Sequence, residues 1–489
     1  MSAHDPGAAA LAGGPAGPRA LRPLTDTALD ALADGARERG GPLPAGGPET
    51  VARQLRDAVG TLLPYRGEGA HAALRTLTTA LAAGAADPAE PHCAAHLHTP
   101  PLALAAAAEL AAAALNPSLD SWDQAPAATE LEALLARTLA AEIHPGADAD
   151  ALFTTGGTEA NQLALLLARE HLGPGAHLVC GANAHHSITR SAWLLGMRTP
   201  TVLPTPDGVL DPAAVDAVLA LTGGPALVVA TAGTTDTGAI DPLPALAAVS
   251  AERGARLHID AAYAGPLRLA PRLAHLVEGL EQAHTVTLDL HKLGWQPAAA
   301  GILAVRDRAD LAPLDWRADY LNAADDTDAG LPDLLGRSLR TTRRPDAFKI
   351  AVTLKALGRA GLAELIEATV AAAHHLAALV DDDPELELYA QPTLTTVLFR
   401  PVRADDEDVA AIRRELITDG RAVLGRAPAA GRLWLKATLL NPHITPGALD
   451  DLLTLVRDRA TARTAGATRT DEQPRTVHTP RAKEGSPTR

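Results

Sequence analysis

The middle of the chain alternates short, continuous apolar runs with longer stretches that are apolar on one face only. The continuous runs predict six strands, at His177–Cys180, Thr201–Pro204, Ala226–Thr231, Arg256–Asp260, Thr285–Asp289 and Gly301–Val305. Continuous apolar runs are typical of strands that are covered on both faces. The one-sided stretches between them predict helices, at Glu159–His171, Pro212–Leu221 and Pro244–Arg253. This order predicts an α/β fold with a mainly parallel central sheet wrapped by helices.

The pattern changes after Arg344, where a long helix, Asp346–Gly358, leads into a smaller α+β region that ends near Arg463. Both ends of the chain lack a sustained apolar period, and their Gly, Pro and polar content is typical of disordered segments. We therefore predict a disordered leader over 1–45, a helical segment over 46–90, a large domain over 91–345, a small C-terminal domain over 346–463 and a disordered tail over 464–489.

Composition narrows the range of functions. The chain is 47% hydrophobic but only 2% aromatic, and its net charge is −15. Nucleic acids and anionic membranes bind clustered Lys and Arg, so neither is an expected partner. The apolar run Leu102–Leu115 is shorter than the ~20 residues that a membrane span needs, and no secretory signal begins the chain, which favours the cytoplasm. Cys93 and Cys180 form neither a disulfide framework nor a zinc motif, and we expect no metal.

The first candidate for chemistry is the segment TTGGTEAN, which begins at Thr154 and opens an apolar helix. Two glycines allow the backbone to approach a ligand, and a helix N-terminus offers free N–H groups to a phosphate. A plain helix cap would explain the same residues. The chain has neither a Walker phosphate loop nor a dinucleotide glycine fingerprint, so a nucleotide is not the expected ligand.

Two further motifs follow the ends of predicted strands. Asp260 ends a strand in HIDAAYAG, at the sheet edge where parallel strands bind ligands. A carboxylate there could hold a ring nitrogen in its protonated form, although a helix cap or a metal ligand would also fit. Lys292 follows a strand in DLHKLGW, where partial desolvation would free its amine to attack an aldehyde. Taken alone, such a lysine is usually a surface residue.

A histidine also follows a strand, in the segment NAHHS. His185 could lie flat against a planar ring and gain ~1 kcal/mol by stacking, or it could be a structural histidine. The order of a phosphate-type helix start, an imidazole, a carboxylate and an amine on one sheet favours the functional interpretation.

This ordered set of GGTEAN, AHHS, ATAGTT, HIDAAYAG and DLHKLGWQP resembles the group II pyridoxal-phosphate decarboxylases, which include aromatic amino acid, glutamate and 2,4-diaminobutyrate decarboxylases. The resemblance continues through HLHTPPL, NPSLDSWDQAPAATELE, RSLRTTRRPDAFK and LKATLLNP, and covers about residues 90 to 460. It implies a fold of the aspartate aminotransferase type (fold type I), pyridoxal 5'-phosphate as cofactor and decarboxylation of an amino acid. It also implies a homodimer with active sites at the subunit interface, completed by residues 50 to 120 of the partner.

The resemblance assigns roles to individual residues. Lys292 would bind the cofactor, Asp260 would pair with its pyridine nitrogen and His185 would stack on its ring. The other implied contacts to the cofactor come from Gly157, Thr158, Thr234 or Thr235, Ala262 and His291.

The sequence departs from the family pattern at two places. One concerns substrate binding and the other concerns the donor of a proton to Cα. Lys436 stands where glutamate-type members have an arginine, and with His98 it is the predicted substrate-binding group. The segment DDTDAGLPDLLGR, residues 325–337, lacks the tyrosine that donates a proton to Cα in many aromatic-type members, and Tyr320 precedes it. His185, His291, Lys292 or a water molecule are the alternative donors.

HLHTPPL, HKLGWQP and SLRTTRRPDAFK look most like members that act on aliphatic diamino acids. The sequence therefore predicts 2,4-diaminobutyrate, lysine or ornithine as substrate, for siderophore or polyamine-type biosynthesis. Acidic residues could attract the distal ammonium or form a solvated loop, namely Asp319, Asp325, Asp326 and Asp328. The alternatives are an aromatic amino acid or glutamate decarboxylase, another activity of the fold such as an aminotransferase or an amine-forming oxidase, and a catalytically silent homologue.

Overall fold

The computed structural model describes residues 9–316 and 323–471. The described chain begins with helices α1 (Gly17–Arg39), α2 (Gly47–Val59) and α3 (Ala70–Ala83). Helix α1 buries Thr27, Ala31 and Gly35, four residues apart, and packs against α3. The prediction of a disordered leader over 1–45 is therefore wrong for α1. The buried face consists of small residues, which carry no apolar signal in the sequence.

The large domain follows, with helices on both sides of a seven-stranded sheet. Its elements are α4 (Ala103–Leu115), α5 (Pro126–Ile143), β1 (Asp150–Thr154), α6 (Gly157–Leu172), β2 (His177–Gly181), α7 (Ser187–Leu194), β3 (Thr201–Leu203), α8 (Pro212–Thr222), β4 (Ala226–Thr231), α9 (Leu243–Glu252), β5 (Arg256–Asp260), β6 (Thr285–Asp289) and β7 (Gly301–Val305). The strand order is β1-β7-β6-β5-β4-β2-β3, and β7 runs antiparallel to both its neighbours. The predicted α/β fold with a mainly parallel sheet is confirmed.

The sheet gathers polar side chains at one edge. Strand β1 ends at Thr154, β5 at Asp260 and β6 at Asp289, and the carboxyl ends of these strands lie together. The antiparallel β7 begins at the same edge with Gly301, where a Cβ would lie 2.4 Å from Thr154 Oγ1. A larger residue at Gly301 would displace the turn that precedes α6.

The C-terminal region has its own sheet and core. After the short helix α10 (Ala324–Asp328), its elements are α11 (Asp346–Asp381), β8 (Leu386–Leu388), β9 (Thr396–Pro401), α12 (Asp406–Thr418), β10 (Gly425–Ala429), β11 (Arg432–Thr438) and α13 (Pro446–Asp471). The sheet is antiparallel, in the order β10-β11-β9-β8. Helix α13 extends to Asp471, past residue 464, where the predicted disordered tail begins. The rest of that tail lies outside the described residues.

Helix α11 connects the two cores. It bends at Gly358, where φ is 61°, so the helix predicted to end there continues in a new direction to Asp381. Its first part buries Ile350 in the core of the large domain and its second part buries Leu376 in the C-terminal core. By length and composition alone, α11 is the one helix among the described residues that could cross a membrane. Its contacts with both cores account for its apolar character.

Candidate active site

The carboxyl edge of the large sheet encloses a cavity of about 400 Å³. Six segments that are distant in sequence line it: the loop that carries Leu97, the start of α6, the residues just before α7, and the ends of β4, β5 and β6 with the residues that follow them. Its walls include Gly157, Thr158, His185, Asp260, Ala262, His291 and Lys292. The candidate amine, carboxylate, imidazole and helix start therefore surround one space.

Backbone bonds hold the segment that carries Lys292. Leu290 N–H donates to Ala300 O at 2.8 Å, and Thr99 Oγ1 donates to Lys292 O at 2.8 Å. Downstream, the buried Trp295 donates from Nε1 to Leu440 O at 2.8 Å, which ties the segment to the C-terminal region. The Lys292 side chain is 18% exposed, and its Nζ lies 3.8 Å from Asp289 Oδ2. Lys292 is therefore an anchored lysine at the cavity rather than a surface residue.

Asp260 is buried with two fixed donors. Its Oδ1 accepts the Ala262 N–H at 3.1 Å, and its Oδ2 accepts Asn161 Nδ2 at 2.7 Å. Buried carboxylates are stable only when such partners satisfy them. These bonds leave the carboxylate oriented and still able to accept a bond from a cationic group in the cavity.

His185 follows β2 at the start of α7, and its Nδ1 lies 2.8 Å from Ser187 Oγ. Burial is the main cause that lowers the pKa of His185, with His186 and Lys292 adding to it and Asp260 opposing it. The His185 and His186 rings lie 4.1 Å apart between centroids, tilted by 51°. The surroundings of His185 therefore favour the neutral form of its imidazole at the cavity wall.

The start of α6 can approach the sheet edge because two glycines occupy it. A Cβ on Gly156 would lie 3.1 Å from His291 Cε1, and a Cβ on Gly157 would lie 3.0 Å from Ala262 Cβ. Upstream, the Thr155 N–H and Oγ1 both donate to Glu159 Oε2, at 2.6 and 2.8 Å. This arrangement leaves a helix N-terminus open to the cavity.

Asp289, to which the sequence patterns assigned no role, also lines the cavity. Its side chain is 2% exposed, its Oδ2 accepts the Gly157 N–H at 3.1 Å and its Oδ1 lies 2.5 Å from His291 Nδ1. His291 Nδ1 and Asp289 Oδ1 lack hydrogen-bond geometry despite this short distance. The strand-end position of Asp289, equivalent to that of Asp260, was the signal that could have identified it.

Thr234, Thr235 and His98 were predicted contacts, and of these Thr235 lines the cavity. Thr234 accepts the Ala239 N–H at 3.1 Å within its own turn, and Thr235 lines the cavity in its place. The His98 side chain is exposed, whereas Leu97 lines the cavity. Of the two threonines that the resemblance left open, the structure brings Thr235 to the wall.

Lys436 lies on β11, where Gly425 of the paired strand leaves room for its side chain. Its Nζ donates to Thr235 O at 3.0 Å and lies 3.6 Å from Asp236 Oδ1. Burial lowers the pKa of Lys436, with Asp236 opposing that effect. The lysine therefore contacts the same threonine that lines the cavity.

The described acidic residues that were predicted to lie near the substrate do not line the cavity. Asp325, Asp326 and Asp328 are exposed on the short helix α10. Asp319 and Tyr320 lie outside the described residues. Within the described ranges, no group of three or more His, Cys, Asp or Glu residues could hold a metal ion.

The geometry fits a flat, phosphorylated, cationic heterocycle that carries a carbonyl group. The helix start offers N–H groups to a phosphate, Asp260 offers a buried carboxylate to a ring nitrogen, His185 offers a ring face and Lys292 offers an amine. The Gly157 N–H, which donates to Asp289, would then be shared with the phosphate.

Comparisons with known proteins bear on this geometry. The pyridoxal-dependent decarboxylase conserved domain matches residues 53–402. The L-2,4-diaminobutyrate decarboxylase of Rhizobium meliloti (strain 1021) is 42% identical over 414 residues, which cover 81% of this chain and 83% of that protein. The protein of the same name from Acinetobacter baumannii is 31% identical over 441 residues, which cover 83% of this chain and 86% of that protein.

Solved structures have the same fold. The glutamate decarboxylase domain of diaminobutyrate-pyruvate transaminase and L-2,4-diaminobutyrate decarboxylase from Vibrio parahaemolyticus superposes with a TM-score of 0.81 at 30% identity, covering 93% of this chain and 98% of that one. Oryza sativa TDC with PLP and tryptamine gives a TM-score of 0.83 at 24% identity, covering 92% of this chain and 99% of that one. The second likeness concerns the fold alone.

Proposed function

Because the chain belongs to the family of pyridoxal-dependent decarboxylases, we propose that it converts L-2,4-diaminobutyrate to 1,3-diaminopropane and carbon dioxide. The family match covers residues 53–402 and makes the chain a carboxy-lyase that uses pyridoxal 5'-phosphate on an amino acid. The identity of the amino acid substrate is the more specific part of the proposal. It is supported by two relatives named L-2,4-diaminobutyrate decarboxylase, each of which is matched over more than four-fifths of this chain.

Each of the predicted cofactor contacts has a proposed task. When bound, pyridoxal phosphate supplies a conjugated ring that accepts the electrons of the bond being broken. Lys292 would hold the cofactor through its amine. Asp260 would keep the ring nitrogen protonated, and His185 would support one ring face while Ala262 would support the other. Gly157 and Thr158, with His291, would bind the phosphate. The convergence of these side chains on one cavity carries this assignment.

Lys436 and its surroundings provide the orientation that decarboxylation needs. Loss of the α-carboxylate would depend on how the site orients that group relative to the cofactor, which is a matter of position rather than of acid strength. Lys436, at 3.0 Å from Thr235 O, supplies a cationic group beside the cavity that would bind the carboxylate as a point charge. His98 remains the second predicted substrate contact, and His185, His291, Lys292 or water remain the predicted proton donors.

A substrate panel tests the proposal. Purified enzyme loaded with pyridoxal phosphate is incubated separately with 2,4-diaminobutyrate, lysine, ornithine, glutamate, tyrosine and tryptophan, and the products are identified by mass. We expect diaminopropane from diaminobutyrate with the highest kcat/KM, and neither 2-oxo acid nor aldehyde. Faster amine formation from glutamate or an aromatic amino acid would reject the diamino substrate. A 2-oxo acid or aldehyde as main product would instead indicate aminotransferase or oxidase chemistry.

We also propose that two copies complete each other's active sites. Large apolar side chains are exposed on and beside the N-terminal helices, including Leu55, Leu62, Leu63, Tyr65 and Leu81. Such exposed apolar groups are typical of surfaces that a partner covers. Sedimentation of the loaded enzyme should give the mass of a dimer, and a monomer with full activity would contradict this. A cytoplasmic location and a siderophore or polyamine destination for the amine remain predictions from the sequence.

A further inference from the structure

We propose that Asn161 is a positioning residue that orients Asp260 and, through Ser187, holds His185 with its proton on Nε2. The side chains of Asn161 and Ser187 are fully buried, and neither has a task in the proposed function. Asn161 Nδ2 donates to Asp260 Oδ2 at 2.7 Å and to Ser187 Oγ at 2.9 Å. Because this inference concerns Asp260 and His185 as cofactor contacts, it depends on the roles proposed for them.

The orientation of the Asn161 amide follows from its partners. A carboxylate at Asp260 can only accept, so the amide nitrogen of Asn161 must face it. The amide oxygen then faces the opposite side, where it accepts Thr287 Oγ1 at 2.8 Å and lies 3.0 Å from His258 Nε2. His258 must therefore carry a proton on Nε2 and donate it to Asn161.

The contacts of His258 Nδ1 complete the hydrogen-bond network. His258 Nδ1 lies 2.9 Å from Thr285 Oγ1 and 3.2 Å from Thr285 O. With the ring proton on Nε2, Nδ1 accepts from the Thr285 hydroxyl, which is the nearer of the two atoms. Burial lowers the pKa of His258 to about 4, with Asp260 opposing, so the ring is neutral near pH 7. His258 and Thr287 thereby hold the Asn161 amide in one of its two orientations, and an isosteric flip would leave buried groups unsatisfied.

The same direction of donation continues to His185. Ser187 Oγ accepts from Asn161, so its own proton is free to go to His185 Nδ1 at 2.8 Å. The Ser187 N–H also points at His185 Nδ1, at 3.4 Å. An Nδ1 that faces two donors must accept, which leaves the ring proton on Nε2. His185 then presents an N–H donor, rather than an acceptor, to a substrate in the cavity.

Ser187→Ala tests the last link of the network without touching Asp260. The variant removes the hydroxyl donor to His185 Nδ1, so the neutral imidazole loses stabilisation and the pKa of His185 rises. The charged or titratable groups that face His185 are Asp260, His186 and Lys292, and all three are retained. We expect the acid limb of kcat/KM to move up by about half to one pH unit, with kcat about fivefold lower, from the loss of one hydrogen bond.

The affinity for pyridoxal phosphate provides a readout that does not depend on turnover. Ser187→Ala keeps the bond between Asn161 and Asp260, so we expect a dissociation constant for the cofactor within about threefold of the wild type. Asn161→Asp replaces the donor to Asp260 by a second carboxylate, and should weaken cofactor binding by about tenfold or more, since each 1.4 kcal/mol is a factor of ten. Both are measured by titrating the apoenzyme with the cofactor and following its absorbance.

Ser191→Ala is the matched control, because Ser191 is also buried, on the same helix α7, one turn further along. It should leave both the pH profile and the cofactor affinity unchanged. Ser187→Cys, which keeps a weak donor, should fall between Ser187→Ala and the wild type and serves if Ser187→Ala does not fold. Identical pH profiles for the Ser187 variants and Ser191→Ala would overturn the inference. Failure of the wild type to bind the cofactor or release an amine would instead reject the proposed function.

Discussion

At the scale of single residues, the site depends on side chains that connect segments far apart in sequence. Asp289 is the clearest case, because its carboxylate accepts the Gly157 N–H from α6 while it lies beside His291 and Lys292 of its own segment. The helix start proposed for the phosphate and the lysine proposed for the carbonyl group are thereby tied together. Their separation is fixed by a buried acceptor as well as by the backbone.

Replacing Lys292 by alanine removes its amine from the cavity. Without a nucleophile for the carbonyl group, Lys292→Ala should lose the absorbance of the lysine-bound cofactor, and amine formation should fall by a factor on the order of 10³ or more. The absorbance spectrum and the rate of amine release measure these two effects. The control is Lys355→Ala, at an exposed position of α11, which should match the wild type. A Lys292→Ala enzyme with normal turnover would rule out this lysine.

Asp260→Asn keeps the shape of the side chain and removes its charge. The protonated ring nitrogen then loses a buried ion pair, which costs about 2 kcal/mol or more and corresponds to a loss in kcat/KM of roughly 30-fold or more. The exposed Asp207→Asn serves as the control and should have the kcat/KM of the wild type. Equal kcat/KM for the two variants would mean that the Asp260 charge takes no part in the reaction.

At the scale of elements, close packing of small residues holds α1 to the protein. A Cβ on Gly35 would lie 2.5 Å from Thr79 O and 2.6 Å from Ala82 Cβ on α3. Gly35→Ala should therefore separate the two helices and destabilise the N-terminal region by about 1–3 kcal/mol, as overpacking generally does. The urea midpoint of unfolding measures the change.

Gly447→Ala is the matched control, and we expect it to change the stability in the opposite direction. Gly447 lies in α13, and no atom lies within 4 Å of the position that a Cβ would take there, so alanine adds helix propensity without a clash. It should raise the stability by up to about 1 kcal/mol. If Gly35→Ala leaves the urea midpoint unchanged or raises it, the contact between α1 and α3 does not limit the size of residue 35.

The sequence was most informative where one physical signal dominated. Strands β4 to β7 have the predicted bounds because continuous apolar runs mark strands that are buried on both faces. Helix α1 was missed because Thr27, Ala31 and Gly35 form a buried face without large apolar residues. Pattern reasoning reports the amount of apolar surface, and it is insensitive to packing that depends on small size.

The residues of the candidate site also fall into those that the sequence predicted and those that it did not. Its ordered motifs predicted Lys292, Asp260 and His185, because each lies at or just after the end of a strand of one sheet, and all three line the cavity. Asn161 and Ser187 lie inside those motifs, yet their importance depends on a bond between them that spans 26 residues of sequence. Neither residue has a composition or spacing that signals this pairing. Buried polar networks are specified by three-dimensional partners, and these appear only once the fold is known.

At the scale of the whole molecule, the large domain keeps several histidines in their neutral form. The pKa values of His144, His258 and His284 are each lowered to about 4, and burial is the main cause in all three. Glu281 opposes the shift at His144, and Asp260 opposes it at His258. For His284, the nearby Arg256 and Arg306 add to the effect of burial.

These histidines should make the folded protein sensitive to acid. In the unfolded chain they titrate near 6.5, so between about pH 6.5 and 4 the unfolded state binds protons that the folded state excludes, and stability falls as the pH falls. Each histidine contributes at most about 1.4 kcal/mol per pH unit to that loss. His144→Gln should therefore lose less stability than the wild type between pH 6.5 and 5, as measured by urea unfolding at each pH, whereas the exposed His443→Gln should keep the full wild-type slope. An unchanged slope in His144→Gln would mean that this ring already takes up its proton in the folded state.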